Sequence, residues 1–212
     1  MIKLGIVEDH RILRTAMVNL LNDHDDFEIT IEAGNGEVLM DLLDRSSLPD
    51  VILVDVEMPV MDGPATVKKY RSLYGNEVKL LGLSVHKEPR VVNEMIQNGA
   101  NGFVTKAASS LELFQAIITV YNSGFYVSRD IASYLKSTDL PRLSDQKLNP
   151  KEERILKLIC EQKTNEQIAQ QLKLSRNTVN TYRTRMIEKL QVKNTVGLVL
   201  YAIKSGLYWV ES

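Results

Sequence analysis

Cysteine is almost missing from this chain: the single thiol, Cys160, excludes an internal disulfide. Its setting, Ile155-Leu156-Lys157-Leu158-Ile159-Cys160, points to a packed helical side chain and not to a reactive thiol. No apolar run approaches the roughly 20 residues that span a bilayer, so a membrane helix is not expected. The N-terminus also lacks the basic and apolar segments of a signal peptide and opens directly on a strand pattern. The expected location is therefore cytoplasmic. A strong charge of either sign is absent too, the net value being −1, but that figure conceals a cancellation. Residues 1–142 hold 14 Lys/Arg against 20 Asp/Glu, a balance of −6, whereas residues 143–212 hold 12 against 7, a balance of +5. An acidic first part joined to a basic second part implies different partners for each, and nucleic acid is the obvious one for the basic part.

What is present supports packed cores: 212 residues, 44% apolar and 25% charged, enough for one large domain or two modest ones. The first part alternates strand and helix signals. Apolar, β-branched runs at 2–7, 27–33, 51–54, 78–83 and 102–104 read as strands. Helical apolar spacing occurs at 11–21, 37–43, 65–73, 89–97 and 111–121. In the first of these helices Ile12, Leu13, Ala16, Met17, Leu20 and Leu21 are expected to face inward, and in the second Val38, Leu39, Leu42 and Leu43. Such alternation predicts a parallel sheet covered on both faces, with strand order left open. Residues 124–147 are mixed and polar and read as a linker, with a short helix near 131–135. Beyond it only helix signals remain. Asn149 and Ser175 are placed to cap helices, Val179, Tyr182, Met186, Ile187 and Leu190 form an inward stripe, and Lys173-Leu174 makes a brief turn between two helices.

Acidic residues stand just past two of the expected strands: Glu8-Asp9 after the first and Asp55 after the third. Carboxylates there meet at one edge of an open sheet, where such folds place their ligands. Three converging acids repel one another unless a cation joins them, and Mg²⁺ prefers carboxylate and water oxygens. A carboxylate beside such a metal can attack a phosphoryl group and carry it as an acyl phosphate.

The string Asp55-Val56-Glu57-Met58-Pro59-Val60-Met61-Asp62-Gly63 closely resembles the phospho-acceptor segment of response-regulator receiver domains. Glu8-Asp9 matches that family's acidic metal-binding pair, Ser84 its hydroxyl residue after the fourth strand, and Lys106 in Gly102-Phe103-Val104-Thr105-Lys106 its lysine after the fifth. The resemblance implies a five-stranded, flavodoxin-like receiver over residues 1–123. Asp55 is then the phospho-acceptor. Mg²⁺ is held by Glu8, Asp9, Asp55 and the main-chain carbonyl of Glu57. Lys106 and Ser84 hold the phosphate, and Phe103 occupies the aromatic switch position. The side chains of Glu57 and His86 fall where related receivers tune the lifetime of the acyl phosphate.

The second part carries its own resemblance. Leu148-Asn149-Pro150-Lys151-Glu152-Glu153, Asn165-Glu166-Gln167-Ile168-Ala169, Ser175-Arg176-Asn177-Thr178-Val179-Asn180-Thr181-Tyr182 and Lys189-Leu190-Gln191-Val192-Lys193-Asn194 resemble the LuxR-type helix-turn-helix. Tyr182 departs from the histidine common at that place. The resemblance implies an all-α DNA-binding domain over 148–212. Asn180, Thr181 and Thr184 then fall at base-facing positions, Arg183 and Arg185 are further candidates, and Arg176, Lys189 and Lys193 are phosphate contacts. Asn can pair bidentately with adenine and a Thr methyl can touch a thymine methyl, while phosphate contacts position without specifying.

Together the halves resemble a NarL/FixJ-type response regulator, a transcription regulator phosphorylated by a sensor histidine kinase. The only chemistry expected of it is its own phosphorylation and dephosphorylation at Asp55. A single reader covers part of a groove, so a homodimer on double-stranded promoter DNA is expected. The dimer surface is either the last helix, with Val196, Val199, Leu200 and Ile203, or the receiver. Two other classes stay open on the residues alone. An aspartyl-nucleophile phosphatase would need a general acid–base, for which Glu57 is the one candidate. A constitutive DNA-binding protein would use the first domain only as a scaffold.

Overall fold

The computed structural model describes residues 1–43, 47–85, 89–128 and 146–208. Strands β1 (Ile2–Val7), β2 (Phe27–Ala33), β3 (Val51–Asp55), β4 (Lys79–Ser84) and β5 (Gly102–Thr105) form the predicted parallel sheet. Its order is β2-β1-β3-β4-β5-β6, where the short β6 (Tyr126–Val127) is an addition that pairs parallel with β5. Residues 126–127, which the sequence places in the linker, therefore extend the sheet. Their signal is only two residues long, and buried Phe125 and Tyr126 carry it. The expected helix near 131–135 lies outside the described residues.

Helices α1 (Arg11–Asn22), α2 (Gly36–Leu42), α3 (Gly63–Tyr74), α4 (Pro89–Gln97) and α5 (Ser110–Ser123) connect the strands. Strand side chains alternate between faces. Leu4, Ile6, Leu53, Leu81, Leu83 and Val104 pack with Leu113, Ile117 and Val120 of α5 and with Met17 and Leu21 of α1. Val7, Ile52, Val54, Leu80 and Phe103 build the opposite core with Leu39, Val67, Tyr70, Met95 and Ile96.

Two helices bury less than their apolar content predicts. In α1 only Met17 and Leu21, one turn apart, are buried, while Ile12 is 88% exposed and Leu13 and Leu20 remain accessible. In α2 Val38 and Leu42 are likewise exposed. Helix periodicity reports how wide an apolar face is, not how much of it a twisted sheet can cover.

In the second domain, α6 (Pro150–Cys160), α7 (Asn165–Leu172), α8 (Arg176–Leu190) and α9 (Thr195–Lys204) each begin on a side-chain cap. Asn149 and Thr164 make full capping boxes with Glu152 and Gln167, and Ser175 and Asn194 accept from Thr178 and Gly197. Lys173, at φ 54°, forms the left-handed turn between α7 and α8. Val196, Val199, Leu200 and Ile203 of the last helix are buried, in a cluster that runs on into the receiver.

The loop from Asp55 to α3 is held tightly. A side chain at Gly63 would collide with the main-chain oxygen of Asp55, and Asp62 Oδ1 caps α3 by accepting from Ala65 N at 2.8 Å. Within this loop the β-branched Val60 has φ 70° and is 76% exposed. A β-branched residue in that region is strained. Val60→Gly is expected to raise unfolding free energy by about 1 kcal/mol, after subtracting the entropy that glycine adds to the unfolded chain. Chemical denaturation of the two proteins measures this.

Candidate functional site

The sheet order reverses direction at β1, which pairs with β2 on one side and β3 on the other. Connections leaving β1 and β3 diverge there and open a crevice at the carboxyl ends of the strands. Glu8 and Asp9 follow β1, and Asp55 ends β3. All three border this crevice. Glu8 and Asp55 are buried, and Lys106 Nζ lies 2.7 Å from Glu8 Oε2 and 2.8 Å from Asp55 Oδ2. The Glu57 main-chain N–H donates to the Asp55 carboxylate, and the Glu57 side chain is exposed. Lys106 N donates to Ser84 O at 2.7 Å, which brings the ends of β4 and β5 together. Ser84 is buried beside them, and Phe103 lies inward in β5 against Gly82. His86 lies outside the described residues.

Burial pushes the Asp55 carboxyl above its ordinary range. The hydrogen bond from Lys106 opposes that rise, and the neighbouring Glu8 charge adds to it. Burial alone would pull the Lys106 amine down, but its bonds to Asp55 and Glu8 hold it above its usual value.

Ligand atoms from Glu8, Asp9, His10 and Asp55 all lie within 4.8 Å of one another. Asp9 Oδ1 is sealed from water and accepts no hydrogen bond, although His10 Nδ1 approaches to 3.1 Å. Buried carboxylate oxygens without donors are costly unless a cation joins them, so this oxygen set is compatible with Mg²⁺. The sequence reading passed over two residues here. His10 directly follows the acidic pair, and the Arg14 guanidinium, one turn into α1, donates to the Glu8 main-chain carbonyl.

The second candidate site is α8. Asn180, Thr181, Thr184 and Arg185 are exposed, as is Lys193 beyond the helix. Arg176 is exposed as well and ion-pairs with Glu166 at 2.8 Å. Two expected DNA contacts are otherwise engaged. Lys189 Nζ is 2.8 Å from Glu152 Oε2, tying α8 to the capping box of α6. Arg183 is buried, its Nη1 donating to Ser123 O of the receiver at 2.9 Å. Positions 179, 183, 186 and 190 share one helical face, so Arg183 continues the Val179–Met186–Leu190 stripe. Tyr182, read as part of that stripe, is only half-buried, with Lys151 Nζ 5.2 Å above its ring.

Arg183 belongs to a junction between the two domains. Asn194 Nδ2 donates to Ala100 O at 2.7 Å, and Ser123 Oγ donates to Gln162 O at 3.1 Å. One apolar cluster runs from the receiver core into the helical domain. On the receiver side, Arg71 binds Gly99 O, Gly75 O and Val78 O, and its Nη2 meets Asn101 Oδ1 at 2.5 Å. Asn101 in turn donates to Gly124 O at 2.8 Å. Arg183 itself is poorly compensated. Among the described residues its Nε and Nη2 have no hydrogen-bond partner, and burial pulls its pKa down to about 10. It therefore stays charged at neutral pH and burdens the docked arrangement with a desolvated cation.

An acidic crevice bridged by a half-buried lysine, on an α/β sheet joined to a helix-turn-helix, defines a two-domain switch with a DNA-reading output. Residues 4–118 match the model of the response regulator receiver domain, and residues 146–202 that of the bacterial regulatory proteins, luxR family. The response regulator GacA of Pseudomonas syringae pv. syringae (strain B728a) is 34% identical over 212 residues, covering 98% of each chain. The response regulator UvrY of Escherichia coli (strain K12) is 35% identical over 221 residues, covering 100% of this chain and 98% of its own. A solved structure of two RcsB dimers bound to two parallel DNAs shares the fold, with a TM-score of 0.58 at 20% identity over 96% of this chain and 98% of that one. The chain belongs to the NarL/FixJ family of response regulators. It is a phosphorylation-dependent, DNA-binding transcription regulator of a two-component system, and its relatives are regulators, not classical enzymes. Among the described residues no helix is long and apolar enough to cross a membrane.

Two outcomes are expected. Because its folded-state pKa is raised, ionised Asp55 opposes folding at neutral pH. That opposition fades below a pH of about 4, where the group is protonated in both states. In chelator at pH 7, Asp55→Asn should therefore melt higher than the wild type, by roughly 2–4 °C for each kcal/mol, and the gap should close on acidification. Calorimetry across pH measures it. At the junction, Asn194→Asp keeps the acceptor that caps α9 but loses the donor to Ala100 O. The docking free energy should fall by ~1–3 kcal/mol, seen in calorimetry as the helical domain melting earlier and apart from the receiver.

Proposed function

We propose that Asp55 is the phospho-acceptor. An oxygen of its carboxylate attacks the phosphoryl group of a phosphohistidine on a sensor kinase. The N–P bond breaks as the O–P bond forms, and water later cleaves the acyl phosphate. Glu8, Asp9, Asp55 and the Glu57 main-chain carbonyl hold Mg²⁺, which when bound shields the incoming phosphoryl oxygens from carboxylate charge. Lys106 exchanges its partner Asp55 for the phosphate. The Ser84 hydroxyl donates to a phosphate oxygen, and Phe103 adjusts its packing as Ser84 moves. The Glu57 and His86 side chains set how long the phosphate lasts. This self-directed chemistry is the only catalysis assigned to the chain.

Asn180, Thr181 and Thr184 read base edges, helped by Arg185, while Arg176 and Lys193 contact phosphates. Lys189 and Arg183 join them only after leaving Glu152 and Ser123. The base-facing row is already exposed in the docked arrangement, so phosphorylation acts less by uncovering it than by allowing two readers to pair. The dimers of RcsB on DNA support a homodimer on repeated half-sites. We assign residues 1–127 to the receiver and 148–212 to the reader, and place the protein in the cytoplasm, where promoter DNA is found.

The observation that carries this reading is the buried Asp55 carboxylate bonded to Lys106 inside an acidic crevice. Footprinting on promoter DNA with and without a small-molecule phosphodonor tests it. Wild type should gain protection over paired half-sites at lower protein concentration, and Asp55→Asn should not. Equal gains in both would overturn the assignment.

A further inference from the structure

The imidazole of His10 is placed unlike that of an ordinary loop histidine. His10 is the N-cap residue of α1, yet its side chain makes no capping hydrogen bond. Its ring turns back over the acidic crevice instead. Nδ1 lies 3.1 Å from Asp9 Oδ1 and 3.2 Å from Glu8 Oε1, and the His10 N–H donates to the same Glu8 oxygen at 3.1 Å. That main-chain bond fixes the base of the side chain above Glu8, which is fully buried. Asp9 Oδ1, the oxygen nearest Nδ1, has no hydrogen-bond donor. A ring nitrogen of His10 belongs to the same group of ligand atoms, within 4.8 Å, as the three carboxylates, and Nδ1 is the one that approaches Asp9 and Glu8. The His10 side chain is otherwise 74% exposed, which leaves Nε2 available to carry the ring proton in water. With the ring proton on Nε2, the Nδ1 lone pair faces the crevice.

We propose that His10 Nδ1 is a fourth side-chain ligand of the metal centre, which shifts its preference from Mg²⁺ toward nitrogen-accepting divalent ions such as Mn²⁺ and Co²⁺. The proposal rests on the reading of Glu8, Asp9 and Asp55 as a metal centre. An all-oxygen site suits Mg²⁺, which keeps its waters and has little affinity for imidazole. Adding one imidazole favours later first-row ions, whose affinities rise along the series from Mn²⁺ to Co²⁺ and beyond. The other two histidines are outside this group: His24 pairs with Asp26 and packs on Phe27 and Phe114, and His86 lies beyond the described residues.

Calorimetric titration of the full chain with MgCl₂ and with CoCl₂ tests this, alongside the visible absorption of the Co²⁺-loaded protein, which reports nitrogen ligation. His10→Ala and His10→Asn are the variants, the second keeping a good N-cap for α1. Both should lose ~10-fold or more in Co²⁺ affinity, with a changed Co²⁺ spectrum, while Mg²⁺ affinity moves by less than about twofold. Co²⁺ affinity and spectrum unchanged in both variants would overturn the role of His10 and leave the metal centre standing. A wild-type chain that binds neither ion would overturn the metal centre itself, and His10 with it.

Discussion

Lys106 Nζ, 2.7 Å from Glu8 and 2.8 Å from Asp55, is the contact on which the crevice depends. Two carboxylates buried this deeply repel each other and lose most of their hydration, and either penalty alone favours protonation or a different fold of the loops. One ammonium shared between them opposes both penalties and draws the two carboxylates to a common partner. Because Lys106 leaves β5 directly, and its N–H is bonded to Ser84 O, the same charge also fastens the ends of β4 and β5. A change of charge on Asp55 is therefore felt first by Lys106, then by the two strand ends it joins. Adding a phosphoryl group brings about −1.5 to −2 charge to a place already arranged around one cation.

The strands are parallel, so this charge cluster and the domain junction occupy opposite edges of the sheet. Lys106 follows β5, whereas Ala100 and Asn101 precede it and Ser123 precedes β6. The four residues of β5 thus span about 13 Å between the acidic crevice and the helical domain. Phe103 lies within that strand, packed against Gly82 of β4. Among the described residues, three side chains make the polar contacts traced across the junction at the far edge. Asn194 and Ser123 make one each across it, and Arg183 brings a charge that finds a single acceptor. A contact burdened in this way needs only a small shift in β5 or α4 to tip, which suits a switch driven by one phosphoryl group.

Much of this is legible in the amino-acid sequence itself. The short apolar runs ending in Glu8-Asp9 and Asp55 are strands because they are buried on both faces, and their polar termini fall at one edge because parallel strands end together. Caps at Asn149 and Ser175 are local chemistry and were read directly. The departures are all tertiary. Ile12, Leu13 and Leu20 look like core by periodicity, yet the sheet covers only Met17 and Leu21. Arg183 looks like a DNA contact by charge, yet it occupies the apolar face of α8 and meets the receiver. Lys189 is claimed by Glu152, a partner 37 residues away. His10 shows the reverse case, a residue beside the acids whose orientation only the fold reveals.

In the proposed switch the state of Asp55 reaches the helical domain through β5. Amide hydrogen exchange on the unphosphorylated and Asp55-phosphorylated chain measures this most directly. Phosphorylation should slow exchange around Ser84 and Lys106 and speed it at Ala100–Gly102 and Ser123–Tyr126, where the domains meet. Slowed exchange at the crevice with no change at the junction would contradict it.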